Sequence, residues 1–297
     1  MTSALVTTGR PAPAGRGIGV GALRHRTGQL LAIAVCLLAA LVCAFPILIV
    51  LITAFTPSNE TLSYPPTLLP DAWTLDNFAE VFRRLPVWDQ LQNTIVMSIG
   101  VTVLSLLLDS AAAYALACID FRGRGLLLGV FIATMMVPFQ ALLIPLYQML
   151  SEWGLIGTMV GLIIPRASDV AGIFLLRQFF VMIPRDLDNA ARIDGASEFR
   201  IYWSIILPNA TAGLLTLGLF NFIGNWNDMI WPMIMTNAAE DRTLVAGLAL
   251  LNGTAQGVIP YGVSMAGALI SVVPIVIVFA IVQKRFIEGI ASSGIKG

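Results

Sequence analysis

The sequence predicts an all-α integral membrane protein: six transmembrane helices, both termini cytoplasmic, and a cytoplasmic helix pair between spans four and five. Three observations carry this. The first is composition: 57% of the 297 residues are hydrophobic, only 11% are charged, and the mean hydropathy is +0.85. Soluble domains carry about 25% charged residues, and a soluble fold built from this chain would expose large apolar patches. The second is six apolar runs, each near the twenty residues that cross a bilayer as a helix, at about 30–55, 94–118, 126–150, 159–182, 210–235 and 263–282. The third is the sorting of basic residues to one side. A disordered chain would need low hydrophobicity and high net charge. Zero net charge leaves no basic footprint for nucleic acid. Cys36, Cys43 and Cys118 form neither a metal spacing nor a disulfide framework.

Residues 1–28 form a basic cytoplasmic tail, expected to be disordered; 29–297 form the membrane domain. The first span is too long for a signal peptide core and no small-residue cleavage site follows it. Arg10, Arg16, Arg24 and Arg26 precede it. Residues 56–93 make the largest outside loop, where Trp73 and Trp88 suit the membrane interface. Arg122 and Arg124 lie between spans two and three, and Arg177, Arg185, Arg192 and Arg200 surround the next inner loop. Lys284, Arg285 and Lys296 follow the last span. Thirteen bases thus lie on one face, against Arg83, Arg84 and Arg242 on the other, with Arg166 inside a span. Pro138, Pro145, Pro165, Pro232 and Pro274 are expected to kink or break spans.

The loop at about 184–208 is the most informative segment. Pro184 suits a first helical turn, and Asp186 and Asp188 favour a positive helix N-terminus. Gly195 can close that helix in a left-handed conformation. A second helix then runs from about Ser197 to Leu207, with Phe199, Tyr202, Trp203 and Ile206 at helical spacing. Two short amphipathic helices meeting at a glycine form either a knob for a partner's groove or a pair resting on lipid headgroups.

Ala190-Ala191, then Asp194-Gly195-Ala196, then Ile205, Leu207 and Pro208 resemble the EAA loop of importer permeases in the ATP-binding cassette superfamily. The motif's glutamate is replaced by Asn189, with Asp188 beside it. Asn77-Phe78, Ala112–Ala117, Val137-Pro138, Asn225-Trp226-Asn227-Asp228 and the Gly294–Gly297 end also match. The resemblance covers about 30–297 and is closest to the carbohydrate-uptake group, the MalG-like, binding-protein-dependent inner membrane component. It implies a non-catalytic subunit of a sugar importer in a bacterial plasma membrane. It implies as partners a second homologous permease in a heterodimer, two ATP-binding subunits, an extracytoplasmic sugar-binding protein and the bilayer. It implies contact with the ATPase through Asp188, Asn189, Ala190, Ala191, Asp194, Gly195, Ala196 and Phe199, and through Lys296 in a tail that reaches between the two ATPase subunits. No cofactor is expected in this chain; ATP and Mg belong to the partner ATPase. Consistently, neither Lys284 nor Lys296 lies in a Gly-x-x-x-x-Gly-Lys phosphate loop. His25, the one histidine, reads as a surface residue, and no catalytic or metal cluster is expected.

Polar groups inside spans are costly and demand a role. Asn221, Asn225 and Asp228 recur at helical spacing with Trp226 and Asn227. They read either as a substrate path, where amides and carboxylates meet hydroxyls, or as interhelical hydrogen bonds. Arg166 and Asp169 are three apart and expected to pair. Asp109 must face the bundle interior or a wet cavity. The competing functions are a permease for a non-sugar solute in the same superfamily and an ion-coupled secondary transporter.

Overall fold

The computed structural model describes residues 20–58, 60–61, 69–252 and 261–294, with side chains between 29 and 251 and over 261–284. Residues 295–297, Lys296 among them, the tail before Val20 and the His25 side chain lie outside the described residues. Two units are distinguished, residues up to Ile49 and residues from Val50. All described regular structure is helical.

The first unit is the greater part of helix α1 (Val20–Ala54), which continues through Pro46. It begins inside the stretch expected to be disordered, ahead of the apolar run at Leu30. Extending an existing helix costs far less than nucleating one.

In the second unit follow α2 (Asp76–Arg84), α3 (Val87–Cys118), α4 (Arg124–Thr134), α5 (Leu143–Glu152), α6 (Met159–Ile163) and α7 (Val170–Val181). Then come α8 (Arg185–Ile193), α9 (Glu198–Ile201), α10 (Leu207–Asn209), α11 (Thr211–Trp226), α12 (Ile230–Met235), α13 (Leu244–Ala249) and α14 (Tyr261–Gly294). Three stretches are long and apolar enough to cross a membrane: Gln29–Ala54, Val87–Cys118 and Tyr261–Lys284. The number rises to six if each of three bent pairs counts as one span: Arg124–Thr134 with Phe139–Glu152 (84°), Met159–Arg166 with Val170–Val181 (48°), and Glu198–Asn209 with Thr211–Trp226 (80°).

The apolar runs at 126–150, 159–182 and 210–235 are therefore not single helices. Pro138 is extended, with ψ 137°, and lacks the N–H that a helix would use. Pro165 lies in a tight turn, Ile164–Arg166, and Asp169 then starts a new helix from an extended conformation. The third run breaks at Asn227–Met229, between α11 and α12. The freed backbone groups need partners inside a membrane. Asp169 accepts from Ala171 N (3.2 Å), and Asp228 Oδ1 accepts from Trp231 N (3.2 Å).

Helix α3 is the spine of the core. Ala113, Leu116 and Ala117 pack with Ile173, Leu176 and Phe180 of α7, Ile201, Tyr202 and Ile206 of the loop, and Leu217 of α11. Gly172 of α7 lies where a Cβ would meet Asp109 and Leu217, so a small residue permits this approach of helices. In the 56–93 segment, Asn77 is buried and donates to the Ala54 and Thr56 carbonyls (2.9 and 2.8 Å), pinning α2. Trp73 and Trp88 are exposed, and Trp88 packs on Phe82 with ring centres 5.8 Å apart.

Candidate functional site

The loop forms as its residues dictate. Pro184 caps α8, and Asp186 and Asp188 occupy its first turn. Gly195 takes φ +78°, Ala196 N bonds Ala191 O (2.9 Å) and Gly195 N bonds Arg192 O (3.1 Å). This is the left-handed C-terminal cap that glycine accepts without a Cβ penalty. The second helix is not regular: a π-helical stretch, Tyr202–Ile206, lies between α9 and α10. Pro208 explains it, because it cannot donate to the carbonyl four residues back and its ring crowds that oxygen. The widened turn splits the four spaced apolar residues. Tyr202 and Ile206 are buried, while Phe199 (74% exposed) and Trp203 stack on each other outside, with ring planes 14° apart.

Asn189, Ala190, Asp194, Gly195 and Phe199 are exposed. Ala191 and Ala196 line a groove of about 410 Å³ with Asp194 and Arg200. Asp188 departs from the contact set expected of this loop. It is 2% exposed and turned inward, 3.2 Å from Arg192 and 3.9 Å from Arg185. In a helix whose other face is outward, the residue before Asn189 faces the protein. Ile193, not singled out in the sequence, is exposed beside Gly195.

Glu198 accepts from Arg192 Nε (2.8 Å) and from Tyr114 Oη (2.5 Å). The Arg192 bond first, then the Tyr114 bond, hold its carboxyl below the ordinary 4.5, and Glu198 holds Arg192 above the usual guanidinium range. A depressed carboxylate stabilises the fold fully above its unfolded value and loses that contribution as pH falls through the folded value. The melting difference between wild type and Glu198→Gln is therefore expected to be present at pH 7 and to shrink below pH 4.5. A pH series of thermal melts checks this.

Where the spans break, polar side chains converge on two cavities. One, of about 430 Å³, is lined by Phe139, Gln140, Arg166, Asn227, Asp228 and Trp231, among others. The other, of about 210 Å³, is lined by Phe139, Arg166, Ser168, Asp169, Asn221 and Asn225, among others. Arg166 pairs with Asp228 (2.9 Å), not with Asp169, and stacks over the Phe139 ring at 4.8 Å. The bend between Arg166 and Asp169 removes the helical three-residue geometry, and Asp169 is occupied in capping α7.

Asn221 and Asn225 combine hydrogen bonding within the bundle with a place at the smaller cavity. Asn221 Nδ2 donates to Ser105 Oγ of α3 (2.6 Å), yet the residue also lines the smaller cavity. Asn225 Nδ2 donates to Asn221 O (2.7 Å), while its Oδ1 has no partner among the described residues. Asn227 and Asp228 line the larger cavity from beyond the end of α11 rather than from its face. Trp226 lines neither; it is buried, and its indole donates to Ser271 O (3.1 Å). Trp231 is the indole at the cavity, donating to Leu162 O (3.0 Å). Phe139, Gln140 and Asp169 line the cavities without being foreseen there; for Gln140 and Asp169 the available signal is polarity close to prolines within apolar runs, and Phe139 carries none.

Asp109 is fully buried and faces inward. It accepts from Ser105, from Ser168 Oγ (2.6 Å) and from Asp169 N (3.2 Å). A carboxylate of α3 thus caps the broken start of α7.

Helices throughout the described regular structure, interrupted apolar segments, polar cavities at the breaks and an exposed helix–glycine–helix loop are the make-up of a membrane permease. Residues 110–291 match the family described as binding-protein-dependent transport system inner membrane component. The chain belongs to that family of ATP-binding cassette transporter permeases. It is 34% identical to the arabinooligosaccharides transport system permease protein AraQ of Halalkalibacterium halodurans, over 87% of this chain and 93% of that one. It is 32% identical to the diacetylchitobiose uptake system permease protein NgcG of Streptomyces coelicolor, over 84% and 82%. It also resembles a solved bacterial ABC transporter involved in import of the acidic polysaccharide alginate: TM-score 0.75, 25% identity, 93% of this chain and 100% of that chain.

Proposed function

We propose that this chain is the transmembrane permease subunit of an ATP-driven sugar importer in a bacterial plasma membrane. It crosses six times with both termini cytoplasmic, and forms half of the translocation path beside a second permease. An extracytoplasmic binding protein delivers the sugar. ATP and Mg act on two separate ATPase subunits, which engage the loop around Gly195. The names of the two permeases and the solved transporter given above, for arabinooligosaccharides, diacetylchitobiose and alginate, support the substrate class. The observation that carries the reading is the glycine-capped knob, with Asn189, Ala190, Asp194 and Phe199 outward. Asn221, Asn225, Ser168 and Asp169 at the smaller cavity supply amide, hydroxyl and carboxylate groups of the kind that bond substrate hydroxyls, which supports a path there. Asn227 and Asp228 belong to the same path; Trp226 braces it from behind.

Gly195→Asp tests the docking role. A side chain at φ +78° costs about 1–2 kcal/mol and reshapes the knob. No atom lies within 4 Å of the Cβ position, so the bundle is expected to stay folded. In proteoliposomes holding the whole complex, uptake of labelled neutral oligosaccharides should fall sharply while the thermal midpoint of the bundle stays near wild type. Undiminished uptake by the variant would refute the docking role. Uptake by the wild type that survives ATP depletion under fixed ion gradients would favour a secondary transporter. Uptake of amino acids or phosphates but no oligosaccharide would favour the non-sugar alternative.

A further inference from the structure

The loop's inward polar contacts fall on one helix. Tyr202 Oη lies 2.7 Å from Ser110 Oγ, and Tyr114 Oη donates to Glu198. Arg185 donates to Ala117 O (2.7 Å) and Cys118 O (3.2 Å), and Arg192 donates to Cys118 O (3.3 Å). Arg177, just before the loop, donates to Leu116 O (3.2 Å). Ser110, Tyr114, Ala117 and Cys118 are spaced by four, three and one, so they share one side of α3. The last carbonyls of a helix have no partner within it and carry its negative end, so three arginines there are held firmly.

One turn further into the bundle, α3 presents Asp109 and Ser105. These hold Ser168 and Asp169 at the start of α7 and Asn221 of α11. All three line the smaller cavity. The same rigid helix is therefore bonded at its end to the loop and in its middle to the cavity wall.

We propose that α3 is the rod that transmits movement of the loop to the cavity, with Tyr114 and Glu198 as the positioning residues that couple it. This rests on the proposed docking of an ATPase at the loop. The loop's continuity with α7 and α11 supplies covalent links, but both are broken: on the α7 side at Pro184, where ψ is 126°, and on the α11 side through the π-helical turn and an 80° bend. Bent joints absorb displacement. The bonded, unbroken α3 carries it.

Tyr114→Phe removes one hydroxyl, and Glu198→Gln removes the charge that Arg192 and Tyr114 share; neither changes volume much. Gly224 has open space at its Cβ position and lines the larger cavity, which shares the walls Phe139 and Arg166 with the smaller one. The readout is a cysteine at Gly224, with Cys36, Cys43 and Cys118 replaced by alanine. Its rate of reaction with a membrane-impermeant maleimide is measured in the full complex, with and without Mg-ATP. The wild-type loop should give an ATP-dependent change in rate. Each variant should reduce that change about tenfold, the effect of losing one hydrogen bond to a charged group. The double variant should do no more, because both act through one contact. ATPase subunits should still co-purify. An undiminished ATP response in the variants overturns the rod, as does loss of ATPase co-purification, which would make these contacts part of the docking surface. A wild-type complex without any ATP response would instead defeat the docking reading itself.

Discussion

Replacing Arg166 by methionine is expected to destabilise the bundle by about 1–3 kcal/mol, below the range for breaking a fully buried ion pair because both partners line a cavity. The change leaves Asp228 without its cation. Both partners are partly shielded, with side chains 24% and 14% exposed, so solvent in the cavity screens only part of the remaining charge. Arg166 also holds three interrupted segments at one point: its own turn before α7, the Phe139 ring after the Pro138 break, and Asp228 after α11. Uptake should fall with stability, because both cavities share Arg166 and Phe139. Adding Asp228→Leu to the methionine variant should recover most of the thermal midpoint, since a buried pair replaced by apolar groups is often neutral. It should not recover uptake if the charged wall matters. Thermal melts and uptake assays on the two variants separate the effects. A single Arg166→Met variant that melts like wild type would show that the pair contributes nothing.

The second large effect is expected at Asp109. Asp109→Leu keeps nearly the same shape but removes the acceptor for Ser105, Ser168 and Asp169 N. A buried backbone N–H without a partner, with two hydroxyls that must find new ones, costs about 2–4 kcal/mol. The start of α7 should loosen, and hydrogen exchange at Asp169 and Val170 should accelerate. Asp109→Asn should cost about 1 kcal/mol or less, because the amide oxygen still accepts from Asp169 N while its NH₂ faces a hydroxyl oxygen. Equal melting of the leucine and asparagine variants would remove the capping role.

The loop was legible because its signals are local. Asp186 and Asp188 at a helix start and Gly195 at its end act within one or two turns, so chain order alone specifies them. Even there, the inward turn of Asp188 and the division of Phe199 and Trp203 from Tyr202 and Ile206 depended on a π-helical turn and on the arginines around α3. The cavity was legible only as a set of candidates. Asn221 and Asn225 lie at the walls of one cavity and Asn227 and Asp228 at those of the other, but Arg166 pairs with Asp228 and not with the Asp169 that its spacing suggests. Helical spacing was applied across a proline-broken turn, where it does not hold.

By itself the sequence determined that this chain lives in a membrane, that its regular structure is helical, and that a capped helix pair stands between two apolar segments. Composition and short-range periodicity dictate these, since apolar side chains leave water and backbone groups in lipid must bond within the helix. Tertiary structure alone decided where the apolar runs break, that Asp109 caps α7, that Arg166 answers Asp228, and that the loop is bonded to α3. Each of these joins residues far apart in the chain, and a polar group buried in a membrane bonds to whichever partner packing brings within reach.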